Sequence, residues 1–380
     1  MNNSKDPVST YLRKRGFHFQ PVYRNFTGHR EVVVVVPCYD ELDNLPTLYD
    51  SLLKAGPDEN GSVALLFVVN HPEDVSEERK IRSLKTFEWL KKKGDENRLP
   101  IAILDLFSPG VEVPPEHAGA GYPRKAGLDA ATGLTDPERS GNSLLVSLDA
   151  DCEVSPDYFR VLVSLARRGC AAAVLEYEHR CDDPGNAGAI KEYEAWLRSY
   201  TEGLKYAGSP YAYHFIGSTM VCNVLTYVKA GGMNTRRAAE DFYFLEALAK
   251  ITAVHTVEPA LVFPSNRPSD RVIFGTGKAM TKRVETGEII KPYPLEAFTP
   301  LKNFLEVYHC QHHSAEELLR AIQLLDPSIS GFLESYNFYR AMTRIHATSK
   351  TPQQLLRQKN LWFDALKTLR FVGRSVVSGE

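Results

Sequence analysis

Five consecutive valines, residues 32–36, stand between Glu31 and Pro37. A β-branched run without polar alternation marks a strand covered on both faces. Parallel strands of that kind are joined by long crossovers, usually helices. The flanking sequence shows the matching alternation. A helix is predicted over 43–54, with Asp43 or Asn44 as its cap and Pro46 in its first turn. Further strands are predicted at 62–69, 100–106, 144–148 and 171–177, and helices at 76–92, 124–131 and 155–168. The pattern predicts an α/β protein with a mainly parallel, doubly wound, Rossmann-like sheet. Such sheets bind ligands beyond the carboxyl ends of their strands. Attention therefore falls on residues 37–41, 70–74, 108 onward and 149–153.

A chain of 380 residues is too long for one small domain. Helices are predicted at 190–206 and 239–250, and Pro/Gly-rich loops at 258–295. From about 296 the pattern is helical. Three segments are expected: a loosely ordered basic arm at 1–30, the α/β domain at 31–290, and a helical extension at 291–380. The first thirty residues carry a net charge of +5 and residues 350–380 carry +4, which with a total of −2 leaves −11 for the middle. A total this close to zero argues against a nucleic-acid partner. An acidic centre suits a site for a divalent cation. The six cysteines form no CxxC pair and fit a reduced protein better than a disulfide framework. No run approaches the roughly 20 apolar residues of a membrane span, and the first residues are not of signal-peptide type. A cytoplasmic protein is expected.

Three motifs carry chemistry. In LLVSLDADCEVSPDYF, residues 144–159, a strand runs into Asp149 and Asp151. Two carboxylates one residue apart at a strand end can face one hard cation that also takes substrate phosphate oxygens. Ser155 already supplies the helix cap, so these acids are not needed for capping. In GGMNTRRAAEDFYFLEALAK, residues 231–250, Glu240 and Asp241 open a helix, where acids also favour the dipole. In EVVVVVPCYDELDNLPTLYDSLL, residues 31–53, a strand ends in a loop holding Tyr39, which could stack a base, and Glu41, which could accept from it.

In this order the motifs resemble the GT-A glycosyltransferases, specifically family 2-like enzymes. Pro37-Cys38-Tyr39-Asp40-Glu41 matches the opening Pro-x-Tyr-Asn-Glu-like loop, and AGAGYPRKAGLDAA supplies Arg124, Lys125, Gly127 and Leu128 of an Arg/Lys-x-Ala-Gly-Leu segment. Asp149 and Asp151 match the Asp-x-Asp turn, and residues 216–241 end in the Gly-Gly-Met and Glu-Asp pieces. The resemblance covers roughly residues 30–265. It implies a GT-A fold with a C-terminal helical extension and a transferase using a UDP- or GDP-sugar donor. It also implies Mn²⁺ or Mg²⁺ as cofactor and a hydroxyl acceptor that is a glycan, a lipid-linked molecule or a small molecule. Asp151 and Asp149 would hold the metal, with His255 as a third ligand. Pro37, Tyr39, Glu41 and Asn70 would line the nucleoside pocket. Arg124 and Lys125 would approach the donor diphosphate or the nucleoside. Asp241 matches the general base, with Glu240 beside it, in an inverting transfer.

The chain departs from that pattern in places. The second strand ends in Asn70-His71-Pro72-Glu73-Asp74 in place of an Asp-Asp-Gly-Ser type loop, which leaves the base open. No Gln-x-x-Arg-Trp motif of processive synthases is present. Residues 264–283 place Arg267, Arg271 and Lys278 around a glycine turn suited to the donor diphosphate, as a lid. His309 and His313 share a helix face but lack an evident third ligand. The basic, amphipathic stretch 355–374 either packs on the protein or lies peripherally on the inner face of a membrane. Tyr193, Trp196, Tyr200, Tyr211, Tyr213 and His214 are candidates to stack on acceptor sugars. A retaining enzyme and a catalytically silent nucleotide-sugar-binding scaffold remain the alternatives, and a homo-oligomer stays open.

Overall fold

The computed structural model describes residues 6–56, 61–181, 185, 187–266, 286, 289–311, 313–325 and 327–377. In chain order the elements are α1 (Pro7–Arg15), β1 (Tyr23–Arg24), β2 (Val32–Cys38), α2 (Leu45–Ala55), β3 (Val63–Asn70), α3 (Glu77–Asp95), β4 (Ile101–Leu106), α4 (Gly121–Thr132), β5 (Leu144–Ser147), β6 (Glu153–Val154), α5 (Tyr158–Arg167), β7 (Ala172–Tyr177), α6 (Ala187–Tyr206), β8 (Met220–Asn223), α7 (Val224–Lys229), α8 (Glu240–Ala249) and β9 (His255–Phe263). Then come α9 (Thr299–His309), α10 (Ala315–Gln323), α11 (Pro327–Glu334), α12 (Phe338–Thr348), α13 (Pro352–Trp362) and α14 (Ala365–Val377).

The valine run forms β2, and each of its valines is 0% exposed. Among the described residues nine strands make one sheet, in the order β1-β4-β3-β2-β5-β8-β7-β9-β6. β4, β3, β2 and β5 are parallel neighbours, and β7 and β9 run the same way. The sheet is thus mostly parallel, with β1, β6 and β8 reversed. Helix α4 lies so close to β2 and β3 that a Cβ at Gly127 would come within 2.7 Å of Val68. That close approach fixes the depth at which α4 presents its other residues.

Three elements depart from the expectation. The N-terminal residues are not a loose arm: Asp6 caps α1, accepting from the N–H groups of Val8 and Ser9 at 3.3 and 2.9 Å. β8 inserts antiparallel between β5 and β7, and its four residues are too few for a period to show. β9 occupies the start of the stretch read as loops, because Pro259 and mixed polarity mask a half-exposed strand.

The chain divides into two compact units, Met1–Lys191 with Phe215–Ile289, and Glu192–His214 with Ile290–Glu380. The sheet belongs to the first. The second has an aromatic core in which Phe304 meets Tyr308 and Phe363, with ring centroids 4.9 and 4.8 Å apart. Phe363 and Phe371 are buried there, while Leu356 and Leu369 of the C-terminal helices stay exposed. Among the described residues no helix is long and apolar enough to cross a membrane.

Candidate functional site

The site is assembled where β2, β3 and β5 end and where α4 and α8 begin. Arg124, on the first turn of α4, is 5% exposed. One amino group of its guanidinium pairs with Asp149, just past β5, and the other with Glu240, the first residue of α8. The opposite wall is backbone: a Cβ at Gly217 would lie 2.5 Å from Arg124 Nη2, so only glycine lets the guanidinium settle here. Asn234 Nδ2 donates to the Glu240 carbonyl at 2.8 Å and closes the loop that delivers α8. Ala239 before it adopts φ 56°, a left-handed conformation unusual for a residue with a side chain.

Burial governs the chemistry of the acid pair. It pushes the Glu240 carboxyl up to about 7, against the pull of Arg124. It raises the Asp241 carboxyl as well, although Arg124 and the Phe242 N–H, 2.7 Å from Oδ1, favour the anion. Glu240 is buried and Asp241 half-buried, and carboxyls with raised pKa values are suited to taking a proton near neutral pH. The Asp149–Asp151 turn adds oxygen donors beside them. Arg180, three residues past β7, donates to the Asp151 carbonyl at 3.2 Å and pairs with Glu153. Sequence reading missed Arg180, though its place beyond a strand end was a usable signal.

The expected nucleoside pocket is partly organised by unforeseen arginines. Arg79 Nη1 donates to the Tyr39 hydroxyl at 2.9 Å, and its guanidinium sits 5.5 Å from that ring's centroid. Arg82 pairs with Asp40 and Asp43. Asp40 is left-handed, at φ 56°. The Glu41 carboxylate accepts from Asn44 Nδ2 at 2.6 Å. Pro37 pairs in register with Val68 within the sheet. Asn70 is buried at the end of β3, and its Oδ1 has no hydrogen-bond partner among the described residues.

Several expected residues stand elsewhere. Lys125 follows Arg124 in sequence but projects away from it, a helix turning about 100° per residue. Its Nζ donates to Asp129 Oδ2 and to the Tyr11 hydroxyl, both at 2.8 Å. The structure thus places Lys125 in a buried pair with Asp129, apart from the Arg124 cluster. His255 opens β9, eight residues from Phe263, whose backbone pairs with Glu153. At about 3.3 Å per residue that is roughly 25 Å, so His255 cannot share a cation with Asp151. His309 Nε2 lies 2.9 Å from Asn360 Oδ1 and is occupied there. Tyr193, Tyr200, Tyr211, Tyr213 and His214 are buried and offer no open ring faces, while Trp196 is partly exposed. Arg267, Arg271 and Lys278 lie outside the described residues. Among the described residues no group of three or more His, Cys, Asp or Glu could hold a metal ion.

Fold and site together define an α/β protein with a mostly parallel sheet and a buried carboxylate–guanidinium cluster at the strand ends. No protein-family model and no curated protein sequence matches the chain. Among solved structures it is similar to S. aureus TarS 1-349 in complex with UDP-GlcNAc, at 11% identity over 86% of this chain and 89% of that one, with a TM-score of 0.46. It is similar to the mannosyltransferase PcManGT from Pyrobaculum calidifontis in complex with GDP-Man and Mn²⁺, at 16% identity over 94% and 95%, with a TM-score of 0.39. It is also similar to glucosyl-3-phosphoglycerate synthase from Mycobacterium tuberculosis in complex with Mn²⁺, UDP and phosphoglyceric acid, at 15% identity over 73% and 78%, with a TM-score of 0.39.

Proposed function

We propose that the chain is a GT-A glycosyltransferase of the family 2 type, moving a sugar from a UDP- or GDP-sugar to a hydroxyl acceptor, with its chemistry in residues 31–290. The observation that carries this reading is the linkage of the Asp149 turn, through Arg124, to the acid pair that opens α8. A transfer of this kind needs two anionic functions side by side. One takes the acceptor's proton, and the other helps hold a divalent cation on the departing diphosphate.

In this reading the acceptor oxygen bonds to the anomeric carbon, the bond from that carbon to the diphosphate oxygen breaks, and the hydroxyl proton passes to Asp241. The Phe242 N–H holds Asp241 Oδ1 at 2.7 Å, and the charge of Arg124 favours its anion. Asp149 is held by Arg124, so Asp151 would be the carboxylate that, together with substrate phosphates, offers the hard oxygen donors suited to Mn²⁺ or Mg²⁺. When bound, the cation offsets charge on the leaving group. The orphaned acceptor of Asn70 suits a base N–H, and Tyr39 suits a stacked ring.

Melting temperatures should rise with one family of nucleotide sugars, in the presence of Mn²⁺. Asp241→Asn should keep that rise and lose release of the nucleoside diphosphate. A panel in which no nucleotide or nucleotide sugar shifts the melting temperature, with or without metal, refutes the reading. The anomeric configuration of the product, read by NMR, should be inverted; a retained configuration replaces the inverting mechanism with the retaining one.

A further inference from the structure

Two arginines of α3 stand near the strand ends, and the transfer chemistry uses neither. Ser76 caps α3, its hydroxyl accepting from the backbone N–H of Arg79 at 3.4 Å, and Arg82 follows Arg79 on the same helix face. Both side chains reach back to the loop that follows β2. Arg79 Nη1 donates to the Tyr39 hydroxyl at 2.9 Å, and its Nε lies 3.6 Å from a carboxylate oxygen of Asp40. The same guanidinium sits 5.5 Å from the centroid of the Tyr39 ring. Arg82 pairs through Nε with Asp40 and through Nη2 with Asp43, the latter at 2.6 Å.

Asp40 is where the loop needs holding. Its φ of 56° is left-handed, a conformation that strains a residue with a side chain. Two cations from another helix converge on its carboxylate and keep the turn closed. The turn in turn sets the place of Tyr39, the residue before it. β2 and β3 are parallel and in register, with Cys38 opposite Val69. Tyr39 and Asn70 follow that pair, so they stand side by side at the strand ends. Asn70 is the residue whose buried Oδ1 has no hydrogen-bond partner among the described residues.

Arginines near a nucleotide would ordinarily be assigned to its phosphates. Here the protein already engages both forks: Tyr39 and Asp40 take Arg79, and Asp40 and Asp43 take Arg82. We propose that Arg79 and Arg82 are positioning residues, which hold Tyr39 beside Asn70 for recognition of the donor's nucleobase and do not bind its phosphates. This inference rests on the transferase reading for the nucleobase, but not for the clasp on the loop.

The test uses the full chain and titration calorimetry with UMP, UDP, GMP, GDP and inorganic pyrophosphate, each with Mn²⁺. Arg79→Met and Arg82→Gln should each weaken binding of the preferred nucleotide about tenfold. The factor should be the same for its monophosphate and its diphosphate, and affinity for pyrophosphate should stay at the wild-type value. Arg79→Lys keeps the charge but not the fork that spans Tyr39 and Asp40, so it should weaken binding as Arg79→Met does. Arg82→Gln combined with Asp40→Asn should lose less than the sum of the two single losses, because the residues share one contact. Amide hydrogen exchange over residues 39–45 should quicken in Arg82→Gln. Unchanged nucleotide affinity in the Arg79 and Arg82 variants overturns the proposal. A loss that grows with the number of phosphates, or that extends to pyrophosphate, also overturns it, in favour of phosphate contact. A wild-type chain that binds none of the nucleotides removes the transferase reading and the nucleobase with it. The exchange experiment then decides the clasp alone: faster exchange in the variant keeps it, and equal exchange removes it.

Discussion

Gly217 lies against the guanidinium of Arg124 so closely that a methyl group there would sit 2.5 Å from Nη2. Arg124 has nowhere to retreat, since its two amino groups are already bound to Asp149 and Glu240. Gly217→Ala should therefore move the guanidinium and uncouple the two carboxylate groups. Overpacking of this kind costs about 1–3 kcal/mol. The expected outcome is a folded protein, with a melting temperature a few degrees lower, that has lost most of its transfer. Nucleoside diphosphate release and a thermal melt on the same sample check it, and a variant with full turnover would show that Arg124 need not be held here.

The acid pair gives stability and activity opposite pH trends. Burial holds the Glu240 carboxyl at about 7, above its ordinary 4.5. The folded state therefore binds this proton more tightly than the unfolded one. The resulting stabilisation is complete below pH 4.5 and is lost as pH rises to about 7, on the order of 3 kcal/mol at most. Denaturant midpoints should fall across that window in the wild type and flatten in Glu240→Gln. A base must be ionised, so kcat/KM should rise with pH and level off above about 7, a profile belonging to the Glu240–Asp241 pair as a unit. A rate that falls across the same window would exclude the base role.

The sequence made some of this site legible and hid the rest for physical reasons. The valine run marks β2 because a strand covered on both faces has no polar residue to blur it. Asp149 and Asp151 stand out because an apolar strand runs directly into them, and Glu240 and Asp241 because they start a helix. Which side of α4 faces the acids could not be read. Arg124 and Lys125 are adjacent cations on a helix with no polar face, where most residues are buried. Their partners lie far along the chain, Glu240 116 residues from Arg124 and Tyr11 114 from Lys125. His255 was misplaced for a related reason: proximity to a strand says nothing about which end of the strand a residue occupies.

Asp149 and Asp151 should behave differently on substitution. Asp149 is bound to Arg124, whereas the Asp151 backbone is fixed by Arg180 beyond β7. Asp151→Ala should remove the Mn²⁺ dependence of nucleoside diphosphate binding. Titration calorimetry with and without Mn²⁺ measures this directly. Affinity that still rises with metal in the variant would exclude Asp151 as the cation's ligand.

Lys125 offers the converse case, a cation in the motif whose removal should cost stability and not binding. Its Nζ and Asp129 form a buried pair in which Asp129 has no side-chain exposure. Asp129 also accepts from the hydroxyls of Tyr11 and Tyr227, both at 2.7 Å, and from the Phe17 N–H at 2.8 Å. This one carboxylate thus ties α1, the residues after it and α7 to α4. Lys125→Met leaves the carboxylate buried without its counter-ion, a change that costs about 3–5 kcal/mol. The urea midpoint should fall accordingly. In the folded fraction, affinity for the nucleotide with Mn²⁺ should stay near wild type, because Arg124 and the Asp149 turn are untouched. A variant with an unchanged midpoint and a lost affinity would return Lys125 to the donor pocket.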